Sequence, residues 1–478
     1  MFSRSIIDNL RAWKSLPDRK PLILRGARQV GKTTAVELFA KEFDLYLYLN
    51  LEIDEDLKLF QRNLSIHDLY QSILLHKDQS AVTGTTLLFI DEIQNSPEAV
   101  KMLRFFYEFL PAVHVIAAGS LLEVMVKQQQ ISFPVGRVQF SFMYPLTFRE
   151  FLTALGLNSA LENFDALPLP DFAHPKLMTL FHRYTLIGGM PEIVSKYAQH
   201  QDIAGLKPLY QALLTSFGDD VTKYARHNTL RHIIRHCLDT APHEAGSRIA
   251  FAGFGKSNYR SREVSEALKT LEQAMILYLL YPTTTTEIPI MPDLRKSPRL
   301  QFLDTGLLNF VAGLQGHFFQ QEDLHAFYRG KIAEHIVGQE LLAATTDIHK
   351  KPVFWVREKK QSSAEVDYLV QHNQLAIPVE VKSGKAGTLR SLHQFIDQSP
   401  HPYAVRLYSG KLELMETQTI EGRRYWLLNL PYFLAGRLND YIDWMVEQLA
   451  DKRKERLTPL SLTGGDPSPI LPPSSGGL

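Results

Sequence analysis

Short apolar runs alternate with helically spaced stretches along the first third of the chain. Pro21–Leu24, Leu45–Leu49, Leu87–Ile90 and His114–Ala118 are compact and largely apolar, and between them Thr34–Phe43 and Ala99–Leu110 repeat their apolar positions at helical intervals. Continuous apolar runs mark strands of a parallel sheet that is covered on both faces, and their alternation with helices predicts an α/β layer structure from about Pro21 to Gln139. Thr147-Phe148-Arg149-Glu150 reads as a capping box, in which the hydroxyl and the carboxylate satisfy the first free amides of another helix.

Residues 150–215 then read as mostly helical, with a proline-rich loop at Leu167–Pro175 and a Gly188-Gly189 pair suited to a hinge. From Leu230 to Asp304 two helical segments are followed by Arg262–Leu280, whose apolar positions Val264, Leu268, Leu271 and Met275 keep helical spacing. A Thr-rich loop (Thr283–Thr286) and a short strand, Arg299–Leu303, come next. Helix, helix, then hairpin is the order of a winged helix. Residues 326–450 mix helix and strand, and the tail is rich in Pro, Gly and Ser, a composition that predicts disorder. The boundaries expected are 1–145, 146–225 (a helical lid and connector), 226–325, 326–450 and a tail over 451–478. No internal repeat is visible.

With 478 residues, 45% hydrophobic and 22% charged, the chain has the balance of a globular protein of several domains, which excludes a disordered, fibrous or disulfide-stapled chain. Lys and Arg (52) nearly cancel Asp and Glu (51), so any nucleic-acid surface must be a local patch. The single cysteine, Cys237, can close no intramolecular disulfide, which suits a reducing compartment. No apolar run approaches the about 18 residues of a spanning helix, and the first residues lack the apolar core of a signal peptide. A cytoplasmic protein without a membrane segment is expected.

Gly26-Ala27-Arg28-Gln29-Val30-Gly31-Lys32-Thr33, followed by Thr34, matches G-x-x-x-x-G-K-[ST] in full, after an apolar strand and before a helix. Glycines let such a loop wrap a polyphosphate, with backbone amides and a helix N-terminus facing the charge. Lys32 is expected to reach the β- and γ-phosphates of ATP and Thr33 to ligate Mg²⁺. Leu87-Leu88-Phe89-Ile90-Asp91-Glu92 places two carboxylates at the carboxyl end of a buried strand, where ligands bind in open α/β sheets. Asp91 is expected to hold the magnesium and Glu92 to activate the attacking water. Ser120, after the next strand, is a candidate γ-phosphate sensor. Arg137 is a candidate finger acting from a neighbouring subunit, with Arg28 and Arg149 as rivals and a local ion pair as the plain alternative. These residues resemble the AAA-type ATPases of bacteria and archaea, in the subgroup with a R-G-x-R-x-V-G-K-T loop (Arg25–Thr33) and L-x-x-G-G-x-P downstream (Leu186–Pro191). The resemblance implies a P-loop NTPase core, a C-terminal domain of unknown function and assembly into a homo-oligomer, a hexameric ring being one form.

Toward the C-terminus, Ala364–Val370 and Leu375–Lys382 read as two strands around Asn373-Gln374. With His372 opposite Leu375, Asp367 falls opposite Glu380 and Glu365 opposite Lys382 on one face, leaving Val366, Tyr368, Val379 and Val381 for the core. Pro378, lacking an amide hydrogen, suggests an edge or a bulge. Asp…Glu-x-Lys resembles the site of restriction-endonuclease-like folds, in which Asp367 and Glu380, with Glu334 from a preceding helix, would bind Mg²⁺ beside Lys382. Glu340 rivals Glu334, and a salt-bridged solvent face is the alternative to the whole site. Lys256, Tyr259, Arg260, Arg262 and Lys269 cluster around the candidate recognition helix and suit phosphate contacts, or equally a solvated face used for protein contacts. The His- and Arg-rich stretch Thr222–His236 lacks carboxylate or cysteine companions at ligand spacing and reads as a basic helix surface. The reading is Mg²⁺-dependent ATP hydrolysis coupled to binding, remodelling or processing of DNA, branched or broken ends included. The alternative is a nucleotide-controlled switch whose C-terminal modules bind a protein and whose nuclease-like fold is inactive.

Overall fold

The computed structural model describes residues 2, 4–119, 134, 136–223, 225–315, 331–344, 351–359, 362–382 and 389–457. Its N-terminal sheet is built from β1 (Leu22–Arg25), β2 (Leu45–Asn50), β3 (Thr86–Asp91), β4 (Val113–Gly119) and β5 (Gln139–Phe142) in the parallel order β2-β3-β4-β1-β5. All four apolar runs are strands; β5, with its polar Gln139 and Ser141, carries no such run. Alternate residues serve opposite faces: Leu22, Leu24, Leu87, Phe89 and Ile116 join one core, while Ile23, Leu47, Leu88, Ile90 and Val115 join a second.

Helices Phe148–Ala154, Asn158–Asp165, His174–Ile187, Pro191–His200 and Lys207–Lys223 follow. The capping box at Thr147 forms as its spacing predicts. The Glu150 carboxylate does more than cap, because it also accepts from the Ser5 amide at 2.7 Å and pairs with buried Arg4 at 3.0 Å, which ties the N-terminus to this layer.

The next segment contains helices Asn228–Glu244 and Ser261–Gln273, then β6 (Leu277–Leu280), the two-residue β7 (Pro282–Thr283) and β8 (Arg299–Phe302). The helical stretch expected over Arg262–Leu280 is thus corrected: the helix stops at Gln273, Met275 turns left-handed with φ 59°, and Leu277–Leu280 pairs antiparallel with β8. Four consecutive buried residues fit either period, so the turn at Met275 decides the matter.

A seven-stranded mixed sheet closes the fold, adding β9 (Val353–Lys359), β10 (Ser362–His372), β11 (Leu375–Val381), β12 (Tyr403–Tyr408), β13 (Glu413–Gln418) and β14 (Arg424–Pro431) in the order β13-β14-β12-β11-β10-β9-β7. Helix Lys331–Ala343 packs on one face and Arg390–Ile396 on the other, so the protein is α/β throughout. The β10–β11 register is the expected one, His372 facing Leu375 and Tyr368 facing Val379. Two expectations about this hairpin fail. Pro378 lies in an interior strand, one residue before the ladder to β12 begins at Val379, so neither an edge nor a bulge accommodates it. The bulge sits instead on the β9 side, between Val366 and Leu369. A bulge reverses the alternation, which sends Val366 to the core under Arg390–Ile396 and Tyr368 to the main core rather than both to one face. The last helix, Leu438–Leu457, passes the expected boundary at 450; residues 458–478 lie outside the described residues.

One buried polar seam joins lid and C-terminal modules. The Glu340 carboxylate, 1% exposed, accepts from the Phe148 amide at 3.0 Å and the Tyr184 hydroxyl at 2.7 Å. Asp304 caps its own helix through the Leu307 amide and accepts from the Gly189 amide at 2.6 Å. Burial pushes the Glu340 carboxyl up to about 7, against the hydrogen bonds from Tyr184 and Phe148. An unfolded Glu titrates near about 4.3, so between these values the folded protein holds the extra proton and stability falls as pH rises. Thermal unfolding from pH 5 to 8 is expected to show this decline, and Glu340→Gln to remove a part of it on the order of 2–3 kcal/mol. An unchanged slope in Glu340→Gln would contradict the assignment.

Candidate functional site

The phosphate loop leaves β1 at Arg25 and enters helix Lys32–Ala40 through Gly31, whose φ of 92° suits glycine. No side chain caps this helix, so its first amides face the loop. A Cβ on Gly26 would lie 2.5 Å from the Met143 carbonyl oxygen, which explains the other fixed glycine of the motif: the loop passes against backbone. Ala27 and Val30 are buried in the core beneath, Gln29 is exposed in a left-handed turn, and Thr34 is exposed on the helix.

Lys32 is buried and its Nζ donates to the carbonyls of Gly26 and Ala27, both at 3.0 Å. Burial lowers its pKa to about 8, while Glu92 and Asp91 act the other way; an anion in the loop would supply the missing counter-charge. The Thr33 hydroxyl donates to Asp91 Oδ2 at 2.7 Å. Burial raises the Asp91 carboxyl, opposed first by that hydrogen bond. Two oxygen ligands therefore converge beside a lysine, a donor set that fits Mg²⁺.

Glu92 follows with φ 51°, its amide bonded to Asp91 Oδ1 and its carboxylate taking a short hydrogen bond from Gln94 Nε2. Gln94 is buried, and its Oε1 lies where a side chain on Gly119 would sit. Sequence reasoning missed Gln94; its signal was only a position three residues after Asp91. Ser120 lies outside the described residues.

Each candidate finger has a partner within the chain. Arg28 pairs with Asp220 of helix Lys207–Lys223, Arg137 with Glu108 at 2.9 Å, and Arg149 with Asp165 at 2.6 Å. Arg28 alone lies at the loop, with Glu92 among the charges that raise its pKa after the Asp220 hydrogen bond.

In the C-terminal sheet, Asp367 Oδ2 accepts from the Val381 amide at 2.8 Å and Lys382 Nζ meets Glu380 Oε1 at 2.5 Å. Glu334 stands 3.7 Å from Arg299 of β8, whereas its rival Glu340 belongs to the seam and is excluded from this cluster. Burial and mutual repulsion raise the carboxyls of Glu334, Asp367 and Glu380. Yet among the described residues no group of three or more acidic, His or Cys side chains is placed to hold a metal ion. The magnesium expected of Glu334, Asp367 and Glu380 does not fit this arrangement, because the Arg299 guanidinium stands among the carboxylates. The Thr222–His236 stretch is broken by a cap, His227 Nδ1 accepting from the Leu230 amide, and its histidines form no such group.

Gly26→Ala is expected to disturb the loop through its contact with the Met143 carbonyl, lowering nucleotide affinity by at least about tenfold, the equivalent of 1.4 kcal/mol. Titration with a fluorescent ATP analogue measures it, and wild-type affinity would show that the loop tolerates the side chain.

Residues 18–152 match the AAA domain, and residues 178–317 and 329–432 match two domains of unknown function, DUF8612 and DUF4143. No curated protein matches the chain. Among solved structures, the Walker-type ATPase of Pyrococcus abyssi is 14% identical, over 65% of this chain and 96% of its own, with a TM-score of 0.42. The Thermotoga maritima RuvB Holliday junction branch migration motor is 14% identical over 62% of this chain and 93% of its own, at 0.26. Among the described residues no helix is long and apolar enough to cross a membrane. The chain thus carries an AAA P-loop ATPase domain followed by two C-terminal domains of unknown function.

Proposed function

We propose that this protein hydrolyses ATP with Mg²⁺ and couples turnover to binding or remodelling of DNA as a homo-oligomer. The observation that carries the ATPase reading is the convergence of Lys32, Thr33, Asp91 and Glu92 at the carboxyl ends of β1 and β3. Lys32 turns from its own loop carbonyls to the β- and γ-phosphates. Thr33 and Asp91 would hold the magnesium, and a bound ion would supply counter-charge for the phosphates. Glu92, aimed by Gln94, accepts the proton of the attacking water. Arg137, exposed in its surface pair with Glu108, is the finger this reading assigns to a neighbouring subunit, with Arg149, also exposed, as its rival.

The DNA reading rests on the segment between lid and final sheet. Two helices and an antiparallel β6–β8 pair follow winged-helix order, and Lys256, Arg260, Arg262 and Lys269 are exposed around helix Ser261–Gln273. The protein-binding switch is favoured by a different observation, the arginine among the carboxylates of the nuclease-like sheet.

Lys32→Ala is expected to abolish nucleotide binding, whereas Glu92→Gln keeps binding and loses turnover by about 100-fold or more. Normal hydrolysis by Glu92→Gln would remove Glu92 as the catalytic carboxylate. ATPase rates with single-stranded, duplex and four-way-junction DNA, and DNA affinity against salt, test the second half. Equal affinity in wild type and in Arg260→Ala/Arg262→Ala/Lys269→Ala would move the DNA surface elsewhere; no salt-dependent binding at all would favour the switch.

A further inference from the structure

We propose that Arg299 is the resident cation of the carboxylate cluster in the C-terminal sheet, so that this module, as folded, binds no divalent metal ion and cuts no nucleic acid. The inference is independent of the ATPase reading and concerns only the cluster.

Arg299 belongs to β8, in the segment before the C-terminal module, and its backbone bridges that of Arg248. Its side chain, 4% exposed, leaves this two-stranded pair and crosses to β10. There Nη1 donates to the Asp367 carbonyl at 3.1 Å and Nη2 makes a short ion pair with the Glu365 carboxylate. The same two nitrogens lie 3.7 Å from Glu334 Oε2 and from Asp367 Oδ1. The guanidinium also lies over the rings of Phe354 at 4.8 Å and Tyr368 at 5.8 Å, which wall it in.

A hard cation needs carboxylate oxygens converging on one point, at about 2.0–2.1 Å for Mg²⁺. Here Glu334 Oε2 and Asp367 Oδ1 each face a different nitrogen of a planar fork that is already charged. The remaining oxygens are largely spoken for: Asp367 Oδ2 by the Val381 amide, Glu380 Oε1 by Lys382. Among the fully buried carboxylate oxygens of the described cluster, Glu380 Oε2 is the one without a hydrogen-bond partner, and one oxygen does not make a metal site. Charge supports the same view. Glu334, Glu365, Asp367 and Glu380 face Arg299, Lys382 and, at 3.9 Å from Glu365, Arg248. A single negative charge is left over. Guanidinium keeps its charge at any physiological pH and its fork can span two structural units, which suits it to this place better than lysine.

The test is Mn²⁺ binding to the full chain without nucleotide, read by electron paramagnetic resonance. Wild type and Asp367→Asn are expected to bind the same number of ions, since Asn can still accept from the Val381 amide. Arg299→Met is expected to gain one ion, and Arg299→Met/Asp367→Asn to lose it again. A wild-type ion that disappears in Asp367→Asn overturns the proposal, as does a folded Arg299→Met that gains none. Should Arg299→Met lose its cooperative unfolding transition, the wild type and Asp367→Asn pair decides alone. Lys32→Ala, which disables the phosphate loop, is expected to leave every one of these differences unchanged.

Discussion

The hydrogen bond from Thr33, in the first turn of helix Lys32–Ala40, to Asp91 at the end of β3 ties the segment after β1 to a strand that is not its neighbour, and the N-terminal site depends on it. Between β1 and β3 lies β4, so Thr33, in the helix that follows β1, reaches past the middle strand to the end of β3. β4 ends in Gly119, where a side chain would collide with Gln94. The space is taken by Gln94, which reaches back from the turn after β3 to hold Glu92. Thr33, Asp91, Glu92 and Gln94 are therefore one hydrogen-bonded set beside Lys32, positioned by strand order and by the room left at Gly119.

A second constraint is the polar seam through the centre of the molecule. Within the short run Arg299–Thr305, successive side chains reach different partners: Arg299 the β10 cluster, Gln301 the carbonyl of His335 at 3.0 Å, Asp304 the Gly189 amide, and Thr305 the side chain of Gln339 at 2.9 Å. Leu146 in turn donates to the Gly189 carbonyl, and Pro191 packs close to Gly31 of the phosphate loop. Burial holds the charges in this run unusually: His335 is pushed down to about 3 and stays neutral, while Asp304 is pushed up to about 6. Polar groups so far from water are stable only when every partner is in place, so this run links the helices after β5 to the C-terminal sheet through satisfied hydrogen bonds.

Much of this was legible in the sequence. The phosphate loop and the Asp91-Glu92 pair were visible because each is a local pattern whose geometry follows from adjacent residues. The β10–β11 register could be read because a one-residue slip would exchange charged and apolar faces. The bulge at Val366–Leu369 could not, since it answers to packing against β9. Met275 looked helical because it continues the spacing of Val264, Leu268 and Leu271, and the apolar run Leu277–Leu280 after it satisfies either period. Glu334 and Glu340 lie on one helix, and only their surroundings tell the cluster member from the seam member.

By itself the sequence determined the α/β class, the phosphate loop, its carboxylates and the hairpin carrying Asp367 and Glu380, all of which rest on short-range periodicity and spacing. Only the tertiary structure decided which groups meet: Gln94 with Glu92, Asp220 with Arg28, Glu108 with Arg137, and Arg299 with two carboxylates of another sheet and one of the helix packed on it. The physical reason is that an ion pair in the interior is set by which elements pack together, and no local pattern near residue 299 records the strand it will face.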